Sequence, residues 1–167
     1  MKAVGVLLAL VGALALQTTI SGLTFGGARM VNLVVVAVVY LALLYGPVTG
    51  LFAGTVGGLA QDALGGGVVG IGGLSKTVVG FLAGLLGAHF IVAQALPRFV
   101  MFVGATVVHE LCFHGLYALV EARPFRVQGS AILTQAAINA VVGLLAFFLT
   151  ERGPGLLQRR RARRARY

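Results

Sequence analysis

Apolar runs dominate the chain, and polar or Gly/Pro interruptions divide them into six segments: Ala3 to Leu23, Met30 to Tyr45, Val48 to Leu64, Leu74 to Gln94, Phe99 to Val120, and Ser130 to Thr150. A bilayer core takes about 20 apolar residues per helix. The pattern therefore predicts an all-α polytopic membrane protein with about six transmembrane helices in one bundle. The second and third segments are short and separated only by Gly46 and Pro47, so they form a tight helical hairpin or adapt locally to the membrane. Merging them gives a five-span alternative. Lys2 followed by apolar residues has the look of a signal peptide, but the run continues to Leu23 without a small-residue cleavage site, which predicts a retained first helix.

Composition sharpens this reading. Hydrophobic types make up 59% of the 167 residues and charged types only 10%, far below the roughly 25% charge of soluble domains. Glycine occurs 25 times inside apolar runs, where its use is close helix contact. The single cysteine, Cys112, excludes an internal disulfide and a cysteine-based zinc site. No cofactor is expected.

The net charge of +9 would suggest nucleic acid for a soluble protein, but the positions of the cations change the inference. Seven of them, Arg152, Arg159, Arg160, Arg161, Arg163, Arg164 and Arg166, follow the last apolar run. The chain thus divides into a transmembrane domain over 1–151 and a basic tail over 152–167, with no nucleic-acid partner implied. With six spans both termini share a side that holds nine of the thirteen cations, against Arg29, Lys76, Arg123 and Arg126 on the other. The positive-inside rule then puts both termini in the cytoplasm. Beside anionic lipid, tail arginines contribute about 1 kcal/mol each; the plainer role is a topology anchor.

A glycine ladder runs through the third segment: Gly46, Gly50, Gly54 and Gly58 recur every fourth residue, and the next step is Asp62. Small residues at this spacing let helix backbones approach closely. Lys76, Gly80, Gly84 and Ala88 repeat the step in the fourth segment. Antiparallel superposition sets Asp62 level with Lys76, Gly58 with Gly80 and Gly54 with Gly84, so the two charges are expected either to pair at the outer face or to reach the headgroups separately. The intervening Gly65 to Gly73 suits a close-packed turn, a re-entrant connection or a plain loop.

Two chemical motifs fail on context. Gly70 to Thr77 reads GIGGLSKT, near the phosphate loop G-x-x-x-x-G-K-[ST], but Ser75 replaces the last glycine and the stretch lies between membrane segments. His109, Glu110 and His114 read H-E-x-x-x-H, whereas the zinc-protease pattern needs histidines four apart on one face. Glu110 and His114 are four apart and can form a pair. Ionisable groups at such depth are expensive and open a functional hypothesis; a buried pair or a partner-facing contact outweighs catalysis.

The stretch from Asn32 to Asp62, NLVVVAVVYLALLYGPVTGLFAGTVGGLAQD, resembles the bacterial rod shape-determining MreD family. Asn32, Gly46, Pro47, Gly50, Gly54, Gly58, Asp62 and Gly70 match that family's pattern, while Val31 stands where it usually has proline. The resemblance implies a non-enzymatic inner-membrane scaffold or regulatory subunit of the cell-wall elongation complex. Its implied partner is MreC, and directly or through MreC the RodA glycosyltransferase with its penicillin-binding transpeptidase; the MreB filament is reached indirectly. The family is also similar in fold to the substrate-binding component of energy-coupling factor vitamin transporters, which supplies the alternative function. Ala9 and Ala13 give the A-x-x-x-A step such proteins use against their coupling subunit. A third reading, an intramembrane hydrolase on His109, Glu110 and His114, needs a broken fifth helix.

Overall fold

The structure is a computed structural model that describes the backbone of residues 2–20, 24–25, 28–66, 68–90, 94–122, 124–125 and 127–164. The side chains of residues 2, 24–25, 28–29 and 152–164 are outside that description. The described fold is an all-helical bundle of α1 (Lys2–Ile20), α2 (Leu33–Tyr45), α3 (Pro47–Gly65), α4 (Ile71–His89), α5 (Ala95–Val120) and α6 (Gly129–Arg164). Between α1 and α2, Thr24–Phe25 (β1) and Ala28–Arg29 (β2) form a two-residue antiparallel ladder, Thr24 opposite Arg29. The stretches Ala3–Ile20, Ile71–His89, Ala95–Val120 and Gly129–Glu151 are long and apolar enough to cross a membrane. Leu7, Leu8, Phe52, Leu119 and many other large apolar side chains face outward, as they do where lipid tails are the solvent.

Helix α2 is the axis of the bundle. Its thirteen residues are almost uniformly aliphatic, and a helix apolar on every side is stable only when surrounded. Val35, Val36, Val39 and Ala42 enter one core with Val79, Ala83, Phe102, Ala140 and Phe147. Val34, Val38 and Leu41 enter a second with Leu10 and Ala53. One short helix thereby joins α1 and α3 on one side to α4, α5 and α6 on the other.

At Gly46 the chain reverses with φ +90°, a left-handed conformation that glycine adopts without a Cβ penalty. Pro47 then opens α3 at a position where its missing N–H costs nothing. The two helices return against each other, with Gly57 under Val34 and Val38. They remain separate helices, so the merged five-span alternative does not describe this part of the chain.

The glycine ladders of α3 and α4 do meet, but in a register that differs from the sequence expectation. Gly50 lies against the Gly80 carbonyl, Gly54 against Lys76, Gly58 against Gly72 and Gly73, and Gly84 against Gly46 and Pro47. The ladders have slid by two rungs. Asp62 and Lys76 are therefore not level: their backbones are offset by eight helical positions, about 12 Å. The cause is the α4 N-terminus, which begins at Ile71 rather than Leu74 and leaves amide groups needing acceptors. The Asp62 carboxylate takes the Gly70 N–H at 2.9 Å and the Gly73 N–H at 3.1 Å.

At the opposite end, α5 and α6 are fastened by Arg98 and Glu151, whose bidentate pair includes one bond of 2.9 Å. The Arg98 guanidinium also covers the Phe147 ring at 4.2 Å. Nearby, Tyr40 Oη donates to Thr150 Oγ1 at 2.8 Å. The α6 backbone stays helical to Arg164. The side chains of the lipid-surface candidates Arg159, Arg160, Arg161, Arg163 and Arg164 lie outside the described residues, as do those of Lys2, Arg29, Arg123, Arg126, Arg152 and Arg166.

Candidate functional site

A helix beginning inside a bundle exposes four amide groups that no water reaches. Helix α2 meets that problem at Asn32. The Asn32 side-chain oxygen accepts from Val35 N at 3.2 Å as an N-cap. Asn32 N donates to Asn139 Oδ1 of α6 at 2.9 Å, and Leu33 N donates to Gln17 Oε1 of α1 at 2.7 Å. Gln17 Nε2 donates onward to the Val31 carbonyl at 3.2 Å. Three amides of the α2 entry are thus satisfied by side chains from α1, α2 and α6.

The same cluster reaches α5. Asn32 Nδ2 lies 3.3 Å from His109 Nε2, and Asn139 Nδ2 donates to Thr106 Oγ1 at 3.2 Å. Thr106 in turn donates to the Phe102 carbonyl at 2.8 Å. If Asn32 is the donor to Nε2, the imidazole proton sits on Nδ1; Nδ1 is buried without a hydrogen-bond partner among the described residues, as is Gln61 Oε1. Eleven helical residues separate both Arg98 from His109 and Thr150 from Asn139, which places the cluster about 16 Å from the Arg98–Glu151 end, near the membrane centre.

Lys76 is 2% exposed. Its Nζ reaches back to the Gly72 carbonyl at 3.5 Å. Ser75 is equally enclosed and donates to the Gly72 carbonyl at 3.1 Å. The GIGGLSKT stretch is therefore the packed opening of α4. Thr77 and Thr55 bridge the α3–α4 seam at 2.8 Å.

Glu110 lies between two histidines, with His114 Nε2 at 3.5 Å from one carboxylate oxygen and His109 Nε2 at 3.8 Å from the other. Helix α5 is continuous through all three residues, so the broken helix that a hydrolase reading needs is not present. Among the described residues, no three His, Cys, Asp or Glu side chains are grouped so as to hold a metal ion.

A family model described as 5TMR of 5TMR-LYT matches residues 1–151. The chain belongs to the 5TMR of 5TMR-LYT family. No curated protein and no solved structure matches it. The matched span ends at Glu151, the partner of Arg98 and the end of the apolar part of α6. In this 5TMR-LYT chain, a multi-pass membrane protein, the residues singled out in the sequence fall into separate groups. Gly50, Gly54, Gly58, Gly80 and Gly84 form the α3–α4 seam; Asp62 and Gly70 form the cap at one end of it; Gly46 and Pro47 form the turn at the other. Asn32 and His109 are the two among them that enter the mid-membrane cluster. Gln17, Thr106 and Asn139 were missed; Thr106 and Asn139 are each a polar residue isolated inside an apolar run, and that isolation is the signal that marks them, whereas Gln17 opens the polar stretch Gln17-Thr18-Thr19.

Proposed function

We propose that the chain is a non-enzymatic scaffold or regulatory subunit of MreD type in the bacterial cell-wall elongation complex. On this reading it sits in the inner membrane with both termini cytoplasmic and binds MreC. Through MreC or directly it couples to RodA and its transpeptidase, and indirectly to the MreB filament. The observation that carries the proposal is the use made of Asn32. The residue that matches the MreD pattern at the start of α2 is occupied on every side in fastening α2, α5 and α6 together. Such a cluster builds a rigid frame, and rigid frames suit a docking subunit.

The test is affinity purification of the tagged full-length chain from native membranes, followed by identification of what accompanies it. Recovery of MreC, RodA and the transpeptidase supports the scaffold reading. Recovery of ATPase and coupling subunits supports the transporter alternative and rejects the scaffold.

A second reading is favoured by one observation. The unsatisfied His109 Nδ1 is a buried polar atom for which a small ligand or a water would supply a partner, and the matched family is one of five-span receptors of the LytS type. A small-ligand receptor should show saturable binding that His109→Leu abolishes.

A further inference from the structure

One nitrogen of His109 is claimed by two groups of opposite character. Nε2 lies 3.3 Å from Asn32 Nδ2 and 3.8 Å from Glu110 Oε1. A side-chain amide NH2 donates and an ionised carboxylate accepts, so a single imidazole nitrogen cannot serve both at once.

The cap of α2 decides which claim holds. Asn32 Oδ1 accepts from Val35 N at 3.2 Å, and turning the amide over would set its NH2 against that N–H. Nδ2 is thereby fixed toward the imidazole, where it donates to the Nε2 lone pair. His109 in this arrangement is neutral, with its proton on Nδ1. Nε2 has only one lone pair. A proton placed between Nε2 and Glu110 Oε1, whichever atom holds it, occupies that lone pair and displaces the Asn32 N–H.

A route for such a proton leads to one end of the bundle. Glu110 Oε2 is 3.5 Å from His114 Nε2, and the His114 side chain is 41% exposed, against 13% for Glu110 and 2% for His109. His114 stands three residues from Tyr117, about 4.5 Å along the helix, and the Tyr117 hydroxyl accepts from Val68 N in the α3–α4 connection. In the other direction Val36, Val39, Val79, Ala83, Phe102 and Phe147 belong to one buried apolar core, which gives a proton no group to bind.

The helices packed against α5 are α2, α4 and α6. From α4 comes the buried Lys76: Val79 and Phe102 share the apolar core, and Lys76 and His109 lie one and two turns beyond them toward the Tyr117 end. Tyr40 and Tyr45 of α2, His89 of α4 and the Arg98–Glu151 pair lie toward the opposite end. Lys76 is thus the cation, and Glu110 the anion, that a protonated imidazole meets.

We infer that His109 and Glu110 form a proton-operated latch between α5 and the N-terminus of α2, set by the pH on the Tyr117 side of the membrane. With the latch closed, Asn32 holds the imidazole and ties α5 to α2. Uptake of one proton from water at the Tyr117 end forms the Nε2–H–Oε1 bridge and breaks the bond from Asn32 Nδ2. Helix α5 then stays joined to the cluster through Asn139 and Thr106. The latch stands independently of the scaffold and receptor readings.

The test is solid-state nitrogen NMR on the full-length chain in phospholipid vesicles, with isotopically labelled histidine and asparagine. The paired substitutions His89→Gln and His114→Gln leave His109 as the only histidine and identify its signals. At alkaline pH the proton should sit on Nδ1, with a bare Nε2 coupled to the Asn32 amide. On acidification a proton should reach Nε2 and the Asn32 coupling should vanish in one transition. Glu110→Gln keeps the Asn32 bond and should lower the proton affinity of the site by about tenfold or more. Should that variant lose its detergent melting transition, Glu110→Asp, which withdraws the carboxylate by one methylene, supplies the same comparison. With different buffers inside and outside, and orientation read from impermeant labelling of Val120→Cys, His109 should follow the buffer on the Tyr117 side. A proton on Nε2 at alkaline pH, an Asn32 coupling indifferent to acid, a proton affinity indifferent to Glu110, or a response to the buffer on the Arg98 side overturns the inference.

Discussion

The backbone N–H of Asn32 is held by the side chain of Asn139, 2.9 Å away and 107 residues later in the chain. The bond closes the bundle between its second and last helices, and it satisfies an amide that has no access to water. Asn139→Ala should therefore destabilise the protein beyond the loss of a surface polar group, by about 1–3 kcal/mol for a buried donor left unmet. Because membrane-embedded hydrogen bonds often measure lower, the check is comparative: thermal unfolding in detergent should rank Asn139→Ala clearly below Thr134→Ala, whose exposed hydroxyl bonds only its own helix.

The α3–α4 seam gives a prediction of different origin. A Cβ at Gly54 would run into the Lys76 carbonyl, and one at Gly50 into the Gly80 carbonyl. Backbone cannot swing aside as a side-chain tip can. Gly54→Ala and Gly50→Ala should each cost about 1–3 kcal/mol or more through forced separation of the helices. Gly104→Ala, with open space around it, should be neutral or slightly stabilising by helix propensity. Equal melting temperatures for Gly54→Ala and Gly104→Ala would refute the seam.

Much of this architecture is legible in the sequence, because apolar run length and charge scarcity are strong signals for lipid as solvent. The six segments and the use of the glycine ladders follow from them. The ladder register does not. A four-residue repeat matches itself at every step, so the seam alone leaves several pairings nearly equivalent. The tie is broken by groups outside the repeat, namely the Gly70 and Gly73 amides that draw Asp62 to the α4 N-terminus. The mid-membrane cluster was hidden for another reason: its members, Gln17, Asn32, Thr106, His109 and Asn139, are spread over α1, the N-cap of α2, α5 and α6, and only Thr106 and His109, three apart on α5, are related by a helical spacing. Their contacts exist only once α2 has begun inside the bundle, at Asn32.

Asp62 as a cap leads to a graded outcome. Removing the carboxylate by Asp62→Ala leaves two amides at the α4 start without their acceptor, at about 1–2 kcal/mol by the usual scale of capping losses. Asp62→Asn keeps one carbonyl oxygen able to accept while losing the favourable charge at the helix N-terminus, worth about 0.3–1 kcal/mol. Melting temperatures should fall in the order wild type, Asn, Ala. An asparagine variant as damaged as the alanine variant would point instead to a role for the negative charge itself.

Arg98 and Glu151 should respond unequally to truncation, even though they share one ion pair. Glu151 is half exposed and its contribution is that of a surface pair, within about 1 kcal/mol. Arg98 is largely enclosed and also covers the Phe147 ring, whose other neighbours are Tyr40 and Phe102. Its removal loses a cation–π contact of about 0.5–2 kcal/mol as well as the packing of its stem. Arg98→Ala should therefore lower the detergent melting temperature more than Glu151→Ala, and Arg98→Lys should recover only part of the difference, since an ammonium cannot form the two-pronged contact while lying flat on the ring. Raised salt should narrow the effect of Glu151→Ala and leave most of the effect of Arg98→Ala in place; equal losses that vanish together in salt would reduce the whole arrangement to a screened surface charge.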